Sequence, residues 1–261
     1  LVIKVNEEFH LGEFIKRIKS VQKILNKNEI FILFGESLKV RNSDVEFKFR
    51  QNSNFYYLTG LNEPDAILIL TKESSSIFVL PKDKNKEIWT GSRIGKDKIQ
   101  KQLKLDEAYD LTEWDAKKEK LLIDYHTLYY FFGQNQNQDN EILSLCQKAA
   151  RKVREGLLSP AKIIRPDFLH EMRMIKSEFE IKKISEAVAI TARGHQMLLS
   201  SIRSGMYEYE AEAMLEKEFL SSGAWGGGYG HIVASGKNAT ILHYTANNQK
   251  LNSGDLLLVD S

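Results

Sequence analysis

Phe14, Ile18, Val21 and Leu25 recur at i, i+4, i+7 and i+11 with Lys and Glu between them, which lays one apolar stripe along a helix of roughly five turns. An apolar run at 30–34, ended by Gly35, predicts a strand, and a polar stretch separates it from a second apolar run at 55–58. Residues 66–70 and 77–80, joined by the turn-rich 71–76, predict a hairpin. A helix at 97–103, a short helix at 114–122, a strand at 128–132 and a helix at 139–157 continue the alternation. This pattern predicts an α/β domain with a mixed sheet. Residues 158–166 hold Pro160 and Pro166 and have no periodicity, which suits a boundary. A second unit is expected to begin near Arg173, giving domains 1–172 and 173–261.

The second part opens on Ser177-Glu178-Phe179-Glu180, a capping box in which hydroxyl and carboxylate each satisfy a free N–H at a helix start. Ile181, Ile184, Val188, Thr191, His195 and Leu198 follow on one face. A second helix is expected over 207–222 with Gly223 as its left-handed terminator. Residues 231–234 and 256–259 predict strands, and 241–244 is a candidate third.

Composition narrows the class. The 261 residues are 42% hydrophobic and 28% charged with 16 Gly and 4 Pro, which excludes collagen-like, disulfide-framework and broadly disordered chains. A formal charge of +2, with the basic residues scattered, gives no reason to expect nucleic acid as a partner. The single cysteine, Cys146, cannot close an intramolecular disulfide, which fits a reducing compartment and predicts a cytoplasmic protein. No run suits a signal peptide or reaches membrane-spanning length, so a membrane is not expected either. The chain starts at Leu1 and stops at Ser261, straight after an apolar run, and both ends are expected to be cuts.

Residues 230–237 approach a phosphate loop. Five residues rather than four separate Gly230 from Gly236, however, and Asn238 stands where a Mg²⁺-binding hydroxyl is required, so no nucleotide loop is expected. Gly226-Gly227-Gly228 allows either close approach to a ligand or merely a loose loop. Among the histidines, His195 is expected to pack or find one hydrogen bond, and His10 and His126 default to the surface. His243 lies in Ile241-Leu242-His243-Tyr244, where partial desolvation would make an imidazole tunable, and packing and function stay equally open for it. Asp260 is the sharpest feature. A carboxylate at the carboxyl end of a buried strand costs on the order of several kcal/mol unless it meets a cation, a donor cluster or solvent. One carboxylate does not make a divalent-metal site, which needs several ligands at once.

Several distinctive blocks follow one another along the chain. The first half contributes Phe49-Arg50-Gln51-Asn52-Ser53-Asn54-Phe55-Tyr56-Tyr57-Leu58-Thr59-Gly60, then Asn62-Glu63-Pro64-Asp65-Ala66, and Glu87-Ile88-Trp89 with Gly91 and Arg93. The second contributes Lys176-Ser177, Gly205-Met206-Tyr207-Glu208-Tyr209, Ile232-Val233-Ala234-Ser235-Gly236, His243-Tyr244-Thr245 and Gly254-Asp255-Leu256-Leu257-Leu258-Val259-Asp260. Taken in this order, they make the chain resemble the aminopeptidase P (Xaa-Pro aminopeptidase) family of pita-bread metallopeptidases.

The resemblance implies an N-terminal mixed-sheet α/β domain followed by a catalytic pita-bread α+β domain. There two Asp, one His and two Glu hold two divalent metal ions, usually manganese, and the enzyme releases the N-terminal residue of peptides with proline second. By position, Asp260 is similar to the first metal-ligating aspartate. His243 is similar to the histidine that hydrogen-bonds the substrate or its tetrahedral intermediate. Trp89 is similar to a residue that reaches a neighbouring subunit's active site, so a homo-oligomer, dimer or tetramer, is implied. Tyr229 matches a pocket-lining position, although Gly228, Gly230 and His231 depart from the family pattern. The family's other four ligands lie beyond Ser261. The resemblance therefore implies an incomplete pita-bread domain with no stable metal site of its own, inactive alone, whose strand at 256–259 needs cover. Two other readings stay in view: a non-catalytic binding or assembly module on this fold, and an Xaa-Pro dipeptidase. Retention of both His243 and Asp260 favours an enzyme, and the long first block with the Trp89 segment favours the aminopeptidase.

Overall fold

A computed structural model describes residues 7–261, with side chains from residue 11 onward, so His10 lies outside the described side chains. The chain divides into two compact units between Ile175 and Lys176.

The first unit opens with α1 (Glu7–Ile24), whose predicted stripe of Phe14, Ile18 and Val21 is buried together with Leu25. β1 (Glu29–Phe34) follows, then an exposed hairpin of β2 (Val40–Asn42) and β3 (Val45–Glu46). The apolar run at 55–58 lies in a helix, α2 (Ser53–Thr59), because Asn52 caps it by accepting from the N–H groups of Asn54 and Phe55. Gly60 ends it with φ at 65°, where an added Cβ would stand 2.2 Å from the Phe14 ring. β4 (Ile67–Thr71) and β5 (Ser75–Val79) form the predicted hairpin. Then come α3 (Lys84–Thr90), α4 (Lys96–Leu103), β6 (Glu107–Asp110), α5 (Trp114–Lys118), β7 (Thr127–Tyr129), α6 (Gln136–Arg151), β8 (Lys162–Ile164) and α7 (Phe168–Met174).

The sheet order is β6-β5-β4-β1-β7-β8. β1 and β5 each run antiparallel to β4, while β1/β7, β5/β6 and β7/β8 are parallel, which makes the sheet mixed. The period-2 alternation sends Phe31, Leu33, Leu68 and Leu70 to a core shared with α1, α2, α4 and α7. Ile30, Ile32, Ile67 and Ile69 go to a second core shared with α5 and α6. Both faces are therefore dry, as continuous apolar strands require.

Two boundary expectations change. Residues 158–166 do not mark the boundary between the units, because β8 joins the sheet edge beside β7 in the register Thr127↔Lys162 to Tyr129↔Ile164. Arg173 belongs to the first unit. α7 is drawn there by Leu169, which is fully buried, and by Phe168, 5.6 Å edge-on from Phe31. The Tyr57 hydroxyl donates to the Met172 carbonyl at 3.1 Å, and Arg173 donates to Asn54 Oδ1 at 2.6 Å.

The second unit consists of α8 (Glu178–Ser201), α9 (Glu208–Ser221), β9 (Ile232–Ser235) and β10 (Leu257–Asp260), the strands forming a two-stranded antiparallel ladder. The Ser177/Glu180 capping box starts α8, and Gly223 follows the end of α9 with φ at 84°. A small core joins Leu198, Ala211, Leu215 and Val233. Gly194 brings the helices close, since a Cβ there would stand 2.9 Å from the Phe219 ring. The face of α8 that packs is Ile190, Gly194 and Leu198, whereas Ile181, Ile184 and Val188 are exposed. α9 meets only the face that carries Gly194, so of the expected stripe Leu198 alone is buried. Residues 241–244 form no strand and follow a 3-10 turn, Gly236–Thr240. No helix among the described residues is long and apolar enough to cross a membrane.

Candidate functional site

The β9/β10 ladder sets the geometry of the second unit's site. Its register runs from Leu257↔Ser235 to Asp260↔Ile232, so Asp260 stands at the strand's last rung. Asn247, buried and with φ at 43°, supplies what a third strand would give the outer edge of β9. Its Oδ1 accepts from the Val233 N–H at 3.0 Å, and its Nδ2 donates to the His231 carbonyl at 2.8 Å and to Glu212 at 3.0 Å. Within 230–237 the N–H groups of Val233, Ser235 and Gly236 are taken by Asn247, Glu208 and Leu256 respectively, so they do not form a cradle open to an anion.

Asp260 departs from expectation in its surroundings. β10 is only half-covered, with Leu258 and Asp260 exposed and Leu256 just before it 81% exposed. The carboxylate thus has a solvent edge, and it also has a donor, the Tyr229 hydroxyl on Oδ1. That hydrogen bond is the main cause holding the Tyr229 phenol above its ordinary pKa, with slight desolvation adding to it. The structure therefore brings two of the sequence candidates, Tyr229 and Asp260, together. His195, on α8, shares a 3.1 Å hydrogen bond with the hydroxyl of Ser261, the residue after Asp260, which is the single bond expected of it.

His243 is exposed, not desolvated. The apolar character of its neighbourhood resolves by direction. Leu242 and Ile241 face solvent, while the Tyr244 ring packs on Ile232 and Ala234 beneath the ladder. The Tyr244 hydroxyl donates to Glu208 Oε2 at 2.7 Å. In the sequence Glu208 stands in the block 205–209 that carries the family resemblance and at the first turn of a helix, with nothing to mark its partners. It proves fully buried, accepting also from the Ser235 N–H and hydroxyl, both at 2.7 Å, from Asn238 at 3.3 Å and from the Gln249 N–H at 2.9 Å. Burial pushes its pKa up, but these donors outweigh that and hold it below the ordinary carboxylate value.

One glycine of the 226–228 run has a definite task. His231 is buried, 2.9 Å from Glu216 through Nε2 and edge-on to Phe219, and a Cβ on Gly227 would stand 2.7 Å from its ring. Gly228 has open space around it. In the first unit, Trp89 lies on α3 and is 89% exposed, beside an Ile88 that is also exposed. The α3 segment is anchored behind them: Asp83 caps it, Glu87 accepts from the Arg93 N–H at 3.1 Å, and Glu63 accepts from the Ile94 N–H at 2.7 Å.

Among the described residues, no three His, Cys, Asp or Glu side chains converge to hold a metal ion. Asp260 offers one carboxylate, so these residues alone do not fit a divalent ion.

Residues 14–130 match the aminopeptidase P N-terminal domain family, and residues 182–261 match metallopeptidase family M24. The chain is 35% identical to an Xaa-Pro aminopeptidase of Escherichia coli over 97% of its own length and 59% of that protein's. It is 38% identical to the Haemophilus influenzae Xaa-Pro aminopeptidase, over 95% of this chain and 56% of the relative. Among solved structures, proline aminopeptidase P II from Yersinia pestis is similar with a TM-score of 0.91 at 34% identity, covering 96% of this chain and 59% of that one. A zinc-substituted E. coli aminopeptidase P in complex with product gives the same TM-score and identity, with 96% and 58% covered. The chain thus spans less than two thirds of these relatives. Matched in order through both units, it belongs to the aminopeptidase P family, of which it carries the N-terminal domain and the start of the catalytic, M24 metallopeptidase domain.

Proposed function

We propose that the protein is an Xaa-Pro aminopeptidase, releasing the first residue of peptides whose second residue is proline. The observation that carries this reading is the 35% identity with a curated Xaa-Pro aminopeptidase over 97% of the chain. In this reading Asp260 is one ligand of a pair of divalent ions, manganese by family habit, and the other ligands correspond to length of the relatives that this chain does not span. When bound, such ions supply an activated water and a polarised carbonyl. Tyr229 orients Asp260 by donating to Oδ1, which leaves the rest of the carboxylate free of that bond. His243, held out in solvent, donates to the substrate oxygen as charge develops on it. Trp89, exposed on an anchored helix, meets a second copy of the chain. The working compartment we propose is the cytoplasm.

The test is hydrolysis of an Xaa-Pro-Xaa tripeptide by the full-length protein with Mn²⁺. Release of the first residue, loss of that release with EDTA and with Asp260→Ala, and a roughly 100-fold lower kcat in His243→Ala are expected. Cleavage of Xaa-Pro dipeptides alone would make it a dipeptidase. No turnover of either substrate would leave a binding module.

A further inference from the structure

Glu208 is wholly excluded from solvent, yet the chemistry proposed above makes no use of it. A buried carboxylate is costly unless donors surround it, and this one has five. Three converge on Oε1, from the Ser235 N–H, the Ser235 hydroxyl and Asn238; two converge on Oε2, from Tyr244 and the Gln249 N–H. A carboxylate suits that set better than a carboxamide. In a carboxamide, whichever oxygen became NH₂ would point hydrogens at a backbone N–H that can only donate, that of Ser235 at Oε1 or that of Gln249 at Oε2.

The two oxygens also hold different parts of the chain. Oε1 grips the end of β9 and the turn at Asn238, and Oε2 grips Tyr244. The segment between these grips, 239–243, carries His243. Tyr244 packs on Ile232, and Ile232 is the residue paired with Asp260 across the ladder. We infer that Glu208 is a positioning residue, pinning both ends of the segment that presents His243 and so fixing His243 relative to the strand that carries Asp260. The inference rests on the reading of His243 as the group that meets substrate.

The full-length protein tests it in two ways. Glu208→Gln should lower kcat on an Xaa-Pro-Xaa tripeptide roughly 10-fold or more with KM little changed, since misplacing a group acts on the transition state. Placed in a His243→Ala background, the same substitution should cost nothing further. Independently of turnover, the His243 ring NMR resonances should shift in Glu208→Gln and stay put in the exposed control Lys217→Gln. Tyr244→Phe removes one donor without changing charge and should move the same observables less; it carries the test if Glu208→Gln does not fold. A loss that multiplies with His243→Ala, or unmoved His243 resonances in a folded variant, overturns the inference. If the wild-type protein cleaves no Xaa-Pro peptide, the functional reading fails, while the resonances still decide whether Glu208 fixes this segment.

Discussion

The two units hold their strands by different means. In the first, β1 and β4 are apolar on both faces, and each face is roofed by helices. In the second, a two-stranded ladder rests one face on α8 and α9, leaves Leu256 and Leu258 exposed, and has its outer edge closed by the Asn247 amide and the Glu208 carboxylate. The first sheet is therefore stabilised mainly by buried area, and the second ladder is shaped by a buried polar network. Such a network is sensitive to single atoms, because one lost acceptor strands a buried donor.

The sharpest contrast comes from truncating one apolar residue in each. Phe31 is fully buried in β1, and Phe31→Ala should cost about 3–5 kcal/mol, read as a fall in the urea midpoint of the full-length protein. Leu258→Ala, on the exposed face of β10, should cost less than about 1 kcal/mol in the packing described. A large loss at Leu258 would mean that the face is covered in the folded protein. The polar side of the comparison is Asn247→Ala. It orphans the Val233 N–H and the His231 carbonyl, at about 1–3 kcal/mol for each buried group, and amide exchange at Val233 should accelerate. Unchanged exchange there would show that the edge needs no side-chain partner.

The same division decided what the sequence could reveal. The stripe of Phe14, Ile18, Val21 and Leu25, the 66–70 and 77–80 hairpin and the Ser177/Glu180 capping box are local patterns, and each appears in the structure. Where a non-local contact decides, periodicity was silent. β8 becomes a strand by pairing with β7, and α7 joins the first unit through Tyr57 and Asn54, more than a hundred residues earlier. In the candidate site, Asp260 is marked by its place after an apolar run and its spatial neighbour Tyr229 by the family resemblance alone, but Glu208 finds its five donors 27 to 41 residues along the chain. A spacing argument cannot see such a partnership. Residues 241–244 show the converse failure, an apolar run whose Tyr244 is claimed by Glu208 while Leu242 faces solvent.

A finer probe of the second unit lies in its glycines. Gly227→Ala should cost about 1 kcal/mol or more, because the new methyl meets the His231 ring and the Tyr229 carbonyl, both under 3 Å away at 2.7 and 2.8 Å. Gly228→Ala meets nothing and should stay within about 0.5 kcal/mol of wild type. Equal effects on thermal midpoint would remove the steric reason given for one glycine over its neighbour.

The smallest effects come from two carboxylates whose pKa values move in opposite directions. Glu63, in the first unit, is raised: burial is the largest influence, its Oε2 is buried without a partner, and the Ile94 N–H and Arg93 recover too little. Glu208, in the second, is lowered, since its donors more than offset burial. The consequences for stability are opposite in sign. The contribution of Glu208 is fully present above the ordinary value of 4.5 and is lost as pH falls from there through its depressed folded pKa. Glu63 penalises the fold at neutral pH, and that penalty is relieved as pH falls from its raised folded pKa to 4.5. Urea midpoints of the full-length protein measured from pH 7 to about pH 3 should therefore show a shallower acid loss in Glu208→Gln below 4.5. Glu63→Gln, whose amide oxygen can still accept from Ile94, should be at least as stable as wild type at pH 7 and lose that advantage on approaching 4.5. Identical pH profiles for wild type and Glu208→Gln would mean that the five donors do not favour the ionised form, and the polar network would then be held by shape instead of charge.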